Sequence, residues 1–162
     1  MMELAESIGR ALQTKGWFLS TAESCTGGGV AQAITEIAGS SEWFDCGFVT
    51  YSNVSKTELL DIPEALIAQH GSVSEEIAAA MAEGALANSS ADITVSTTGI
   101  AGPGGAVPGK PVGTVCFGWS VSHHSGHETH TERLVFHGDR HAVREQTVLH
   151  ALQGLLRLLK TD

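Results

Sequence analysis

The chain has 162 residues, 42% of them hydrophobic and 17% charged, with a formal net charge of −9. That length and balance fit one compact domain over residues 1–162 and exclude a disordered chain. Nine Lys and Arg stand against eighteen Asp and Glu with no basic cluster, which excludes a nucleic-acid groove and a polybasic membrane contact.

Residues 2–15 carry Leu4, Ile8, Ala11 and Leu12 at helical spacing and predict the first helix. No basic segment or long apolar run precedes it, so no signal peptide is expected. No apolar run approaches the roughly 20 residues that span a bilayer. A strand is expected at about 17–22, from the run Trp17-Phe18-Leu19. Thr21-Ala22-Glu23-Ser24-Cys25-Thr26-Gly27-Gly28-Gly29 then turns into a helix that runs to about residue 38, where Gly39-Ser40-Ser41 breaks it. Phe48-Val49-Thr50-Tyr51-Ser52 predicts the second strand, and Asn53 caps a short helix through Lys56, Leu59 and Leu60. Pro63 opens another short helix that ends near His70-Gly71. Ser74 caps the next, with Ile77, Met81 and Ala85 on one face. A third strand is expected from Asp92 to Thr98, and the five glycines and three prolines of residues 99–111 make a loop. Residues 112–121 and 129–136 predict two strands joined by a polar turn. The last helix starts near Asp139, with Val148, Leu152, Leu155 and Leu159 inward. Early alternation of strand and helix implies parallel pairing, and the late hairpin implies an antiparallel strand. The expected fold is α/β: a three-layer α/β/α sandwich on a mixed, mostly parallel sheet of about five strands.

Ser24 is the natural focus, because it sits at a strand-to-helix turn. Such a turn exposes the hydroxyl and leaves backbone N–H groups of the new helix unpaired, which suits an oxyanion or a phosphate. The glycines follow the serine rather than flank it, so the G-x-S-x-G elbow is absent. None of the eight histidines lies in a segment that reads as a triad partner, although a Ser-His-Asp triad formed in space stays open. Of the four lysines, Lys56 follows the second strand, so neighbouring strands would bring it and Tyr51 to the edge that holds Ser24. A lysine base must lose its proton near neutrality. Moving its pKa from about 10.4 to 7–8 costs about 4 kcal/mol, which burial can supply. A solvated Lys56 and a half-buried strand Tyr51 are the competing readings.

Thr97-Thr98-Gly99-Ile100-Ala101-Gly102-Pro103 ends the third strand at the same edge, where glycines let backbone approach a ligand. Residues 104–110 match G-x-x-x-x-G-K, but Pro111 replaces the Ser or Thr of a Walker loop and a strand follows. Arg140 or Arg144, at the start of the last helix, can pair with a phosphate. His123, His124, His127 and His130 read as a solvated turn rather than a metal site. Three cysteines without CxxC spacing argue against a disulfide framework, and Cys25 reads either as a rival nucleophile or as packing.

The segments Thr21-Ala22-Glu23-Ser24-Cys25-Thr26-Gly27-Gly28, Phe48-Val49-Thr50-Tyr51-Ser52-Asn53, Lys56, His70-Gly71-Ser72-Val73-Ser74, Thr98-Gly99-Ile100-Ala101-Gly102-Pro103, Lys110-Pro111-Val112-Gly113-Thr114-Val115 and Gly138-Asp139-Arg140 resemble the CinA C-terminal domain family. The likeness covers nearly the whole chain. It implies the stand-alone form, nicotinamide-nucleotide amidohydrolase, without the nucleotide-binding domain that precedes this one in CinA proteins. It further implies hydrolysis of the carboxamide of nicotinamide mononucleotide, a cytoplasmic setting, a homodimer, and no cofactor, metal, membrane or nucleic-acid partner. By that resemblance Ser24 is the nucleophile, Lys56 the base and Tyr51 the catalytic tyrosine. From the residues themselves, Tyr51 at a strand end can relay a proton, the N–H groups around Thr26, Gly27 and Gly28 are expected to hold the oxyanion, and Gly99 to Gly102 with Arg140 the ribose phosphate, Thr98 lying beside them as a further substrate contact. A non-catalytic pyridine-nucleotide or phosphate-binding module, and a competence- or DNA-damage-related interaction protein, are the alternatives.

Overall fold

The computed structural model describes residues 1–161. In chain order the elements are α1 (Met2–Lys15), β1 (Leu19–Glu23), α2 (Gly29–Thr35), β2 (Phe44–Val49), α3 (Asn53–Leu60), α4 (Glu64–His70), α5 (Glu75–Ala87), β3 (Ile93–Gly99), β4 (Thr114–His123), β5 (Gly126–Val135) and α6 (Arg140–Lys160). The sheet order is β2-β1-β3-β4-β5. β1 runs parallel to both β2 and β3, while β4 runs antiparallel to β3 and β5. β4 alone therefore opposes the other four strands. The expected mixed, mostly parallel α/β/α sandwich is what forms.

Both faces of the sheet are covered. α1, α2 and α6 pack on one face around Ile8, Leu12, Ile34, Leu152 and Leu155, against Leu19, Val95 and Phe117 of the strands. The opposite face takes Leu60, Ile62, Ile67, Ile77 and Met81 against Ala22. A strand covered on both sides loses its polar alternation, and all five residues of β1 are buried. The chain moves from β1 to β2 through α2 on one face, then back past β1 to β3 through α5 on the other. Right-handed crossovers in opposite directions require that change of face. The reversal at β1 opens a crevice at the carboxyl ends of β1, β2 and β3, the usual ligand edge of an open α/β sheet.

Several boundaries differ from those expected. β2 begins four residues before Phe48 and ends at Val49, so Tyr51 lies beyond the strand. Asp45 and Gly47 interrupt its apolar run, but they occupy the exposed positions of an alternating edge strand, and the Asp45 carboxylate accepts the Ser90 N–H at 2.8 Å. α2 stops at Thr35 rather than near residue 38. Ser52, not Asn53, caps α3, its hydroxyl accepting the Ser55 N–H at 3.1 Å. The expected polar turn before β5 shrinks to His124 and Ser125, because His123 and Gly126 already pair. His127 and His130 thus belong to β5, an edge strand that tolerates polar side chains on its solvent face. The caps at Ser74 and Asp139 form as expected, on the N–H groups of Ile77 and Ala142.

Candidate active site

Ser24 follows β1 directly and is only 8% exposed. Its N–H donates to the Thr97 C=O at 2.9 Å, which carries the β1–β3 pairing one residue past the strand. The next residues turn tightly. Gly27 N–H donates to Ser24 C=O and Gly29 N–H to Thr26 C=O, both at 3.0 Å. Gly28 then takes φ +100, the left-handed region that favours glycine, and α2 begins. The N–H groups of Cys25, Thr26 and Gly28 have no protein acceptor among the described residues.

Lys56 comes from the first full turn of α3 and is 1% exposed, among the largest fully buried side chains. Its Nζ lies 3.2 Å from Ser24 Oγ and donates to Thr50 C=O at 3.0 Å. No carboxylate pairs with it among the described residues. Burial of the amine, partly offset by the nearby Cys25 sulfur, holds its pKa below the usual 10.5. Cys25 responds oppositely: burial first, and the Glu23 charge after it, push the thiol up to about 12. The competing Cys25 nucleophile therefore lacks a thiolate near neutrality.

Ser24, Lys56, Ser72, Thr98, Gly99 and Arg140 line one cavity of about 160 Å³, with Tyr51 at its rim and no histidine in its wall. Tyr51 is 61% exposed, and its hydroxyl accepts from Arg140 Nη2 at 3.0 Å rather than meeting Lys56 or Ser24. Arg140 Nη1 donates to Gly102 C=O at 2.8 Å. The Thr98 hydroxyl is spent on Ser72 C=O at 2.6 Å, tying the β3 end to the α4–α5 loop. Thr26, Gly27, Gly28 and Gly102 do not line this cavity. The Gly27 N–H is consumed within the turn, so of the donors expected from Thr26 to Gly28 it is unavailable to a ligand. A larger cavity of about 390 Å³ lies between α2 and α6. No lysine amine lies within it, so the smaller cavity, where Lys56 meets Ser24, is the candidate site.

Two residues were not assigned these roles from the sequence. Glu23, 1% exposed, accepts from Val30 N–H (2.7 Å), Ala31 N–H (3.0 Å) and the Thr26 hydroxyl (2.6 Å). It fills the start of α2 with a carboxylate, which the helix dipole favours. Arg144, read above as a phosphate ligand, instead donates to Cys25 C=O and Thr26 C=O, each at 3.2 Å. Ser72 and Val73 also line the cavity.

The family described as the CinA C-terminal domain matches residues 1–159. The chain belongs to the CinA C-terminal domain family. Among CinA relatives, nicotinamide-nucleotide amidohydrolase PncC of Pseudomonas putida is 51% identical over 155 residues, covering 96% of this chain and 94% of that protein. PncC of Escherichia coli K12 is likewise 51% identical over 155 residues, covering 96% of this chain and 92% of that protein. A Symbiobacterium thermophilum protein named for competence damage is 52% identical over 161 residues, but this chain spans only 38% of its length. The crystal structure of the Agrobacterium tumefaciens competence/damage inducible protein CihA superposes with a TM-score of 0.92 at 42% identity, covering 97% of this chain and 94% of that one. Among the described residues of this CinA domain no helix is long and apolar enough to cross a membrane, and no cluster of metal-ligating side chains forms.

Proposed function

We propose that this protein hydrolyses the carboxamide of nicotinamide mononucleotide to nicotinic acid mononucleotide and ammonia. The observation that carries the reading is a buried lysine amine, held below its ordinary pKa, 3.2 Å from a serine hydroxyl in the turn between β1 and α2. The names of the PncC relatives supply the substrate.

Neutral Lys56 takes the proton of Ser24 as Oγ attacks the carboxamide carbon. Its bond to Thr50 C=O uses one N–H and orients the nitrogen lone pair. The N–H groups of Cys25 and Thr26 receive the oxyanion, each good donor lowering the barrier by about 3 kcal/mol. Lys56, now charged, passes its proton to the carboxamide nitrogen, and ammonia leaves. Water loses a proton to Lys56 and attacks the acyl carbon. As the ester C–O bond breaks, Lys56 returns that proton to Ser24 Oγ, and the acid product loses its proton to solvent and departs as the carboxylate. The cavity is smaller than the roughly 300 Å³ at which drug-sized pockets begin, so it takes the reacting end while the ribose phosphate lies outward beside Arg140. Tyr51, bonded to Arg140, orders that guanidinium instead of relaying a proton.

The experiment is a steady-state assay of ammonia release, with the product identified by mass spectrometry. The wild type turns over, and Ser24→Ala does not. Undiminished turnover in Ser24→Ala rejects the assignment. Calorimetric binding with no product would make the protein a sensing module.

A further inference from the structure

Arg144 touches neither Ser24 nor Lys56, yet it touches the backbone between the nucleophile and α2. Its Nε donates to Cys25 C=O and its Nη2 to Thr26 C=O, each at 3.2 Å. It does so from the α2–α6 cleft, which Thr26 and Arg144 line and Ser24 does not. A trans peptide is planar, so its N–H points opposite to its C=O. With Cys25 C=O drawn toward the cleft, Thr26 N–H points away from it. The neighbouring peptides are fixed as well. Ser24 C=O accepts Gly27 N–H, which leaves Cys25 N–H free, and Thr26 C=O is held by Gly29 N–H and Arg144 together. On the inner side the Thr26 hydroxyl is bonded to Glu23 and lies 2.8 Å from Thr97 Oγ1, so the residue is gripped from both sides.

We propose that Arg144 is a positioning residue of the oxyanion site: it pins the Cys25–Thr26 peptide plane and so aims the Thr26 N–H at the developing charge. A charge-assisted bond to the carbonyl also polarises the peptide and strengthens its N–H as a donor. The proposal rests on the amidase reading of Ser24 and predicts something that reading does not. Arg144 acts on the transition state and leaves substrate affinity alone.

The test compares wild type, Arg144→Met and Arg144→Lys in two assays, with thermal melting as the folding control. The first measures kcat and KM for ammonia release from nicotinamide mononucleotide. The second measures the rate at which a fluorophosphonate labels Ser24, where Oγ bonds to phosphorus and fluoride leaves. That step needs the same donors but not the natural substrate. Arg144→Met lowers kcat and the labelling rate by about 10–100-fold with KM unchanged within twofold. Arg144→Lys keeps the charge and one donor and recovers part of the loss; it also carries the test if the Met variant does not fold. Unchanged kcat and labelling in a folded variant overturn the clamp alone. A tenfold rise in KM at constant kcat makes Arg144 a substrate contact and overturns it too. A wild type that labels but spares the mononucleotide overturns only the substrate assignment. One that neither labels nor turns over removes the amidase reading and the clamp with it.

Discussion

Replacing Lys56 by Met removes the amine and keeps most of the buried stem. The amine sits 3.2 Å from Ser24 Oγ, and a positioned general base contributes about 10²–10⁴-fold, or about 3–5 kcal/mol of barrier. The fold responds separately. Thr50 C=O loses its Lys56 donor, which costs about 1–3 kcal/mol. Against that, the native state no longer has to accommodate a buried ammonium. Burial lowers the native pKa of Lys56 below its unfolded value near 10.5. Between the two values the unfolded chain holds a proton that the native protein lacks, so stability rises with pH across that window. Below the native pKa both states are charged, and the native state bears the full burial cost. The competent form for catalysis is the neutral amine, so kcat/KM climbs with pH and levels off once Lys56 is deprotonated, below pH 10.5. The assay is a pH profile of kcat/KM for wild type and Lys56→Met, paired with denaturant melts over the same range. The variant loses 10²–10⁴-fold in rate, loses the rising limb, and shows a flatter stability profile. A variant within threefold of wild type, or one that keeps the rising limb, refutes the base assignment.

Glu23→Gln removes the charge that Val30 N–H, Ala31 N–H and the Thr26 hydroxyl converge on, which costs about 2–3 kcal/mol and lowers Tm by about 4–12 °C for a chain of this length; a shift under 1 °C in calorimetry contradicts that. Iodoacetamide at pH 8 modifies partly exposed Cys46 and spares Cys25, whose pKa of about 12 lowers its thiolate population about 1000-fold against an ordinary thiol; peptide mapping that finds Cys25 alkylated as fast as Cys46 overturns the argument. Gly154→Ala destabilises the fold despite gaining about 1 kcal/mol of helix propensity, because the new Cβ falls 2.3 Å from the Trp119 ring in α6's packing face. Overpacking of that kind costs about 1–3 kcal/mol, and urea melts showing a stabilised variant would disprove it.

The frame of the fold was legible because its signals are local. Apolar runs followed by glycine, and the caps at Ser74 and Asp139, announce elements within a few residues of themselves. β2 was misplaced because the value of Asp45 is non-local: its carboxylate holds the Ser90 N–H, across 45 positions of sequence. His127 and His130 read as a turn because an edge strand with one wet face carries a loop-like composition. Lys56 and Ser24 meet across 32 positions, and reading them together required assuming that β1 and β2 are neighbours. Glu23 and Arg144 stayed obscure for a different reason. Most of their partners are backbone atoms, and no pattern of residue types announces a bond to a carbonyl or an N–H.

Tyr51 is the chain's one tyrosine, and its hydroxyl ends on the Arg140 guanidinium at the mouth of the cavity. An anion bound to this guanidinium changes the charge that the phenol faces. The protein thereby carries a built-in reporter. One fluorotyrosine label gives a single resonance with nothing to assign, and its displacement on titration would register occupancy without any turnover.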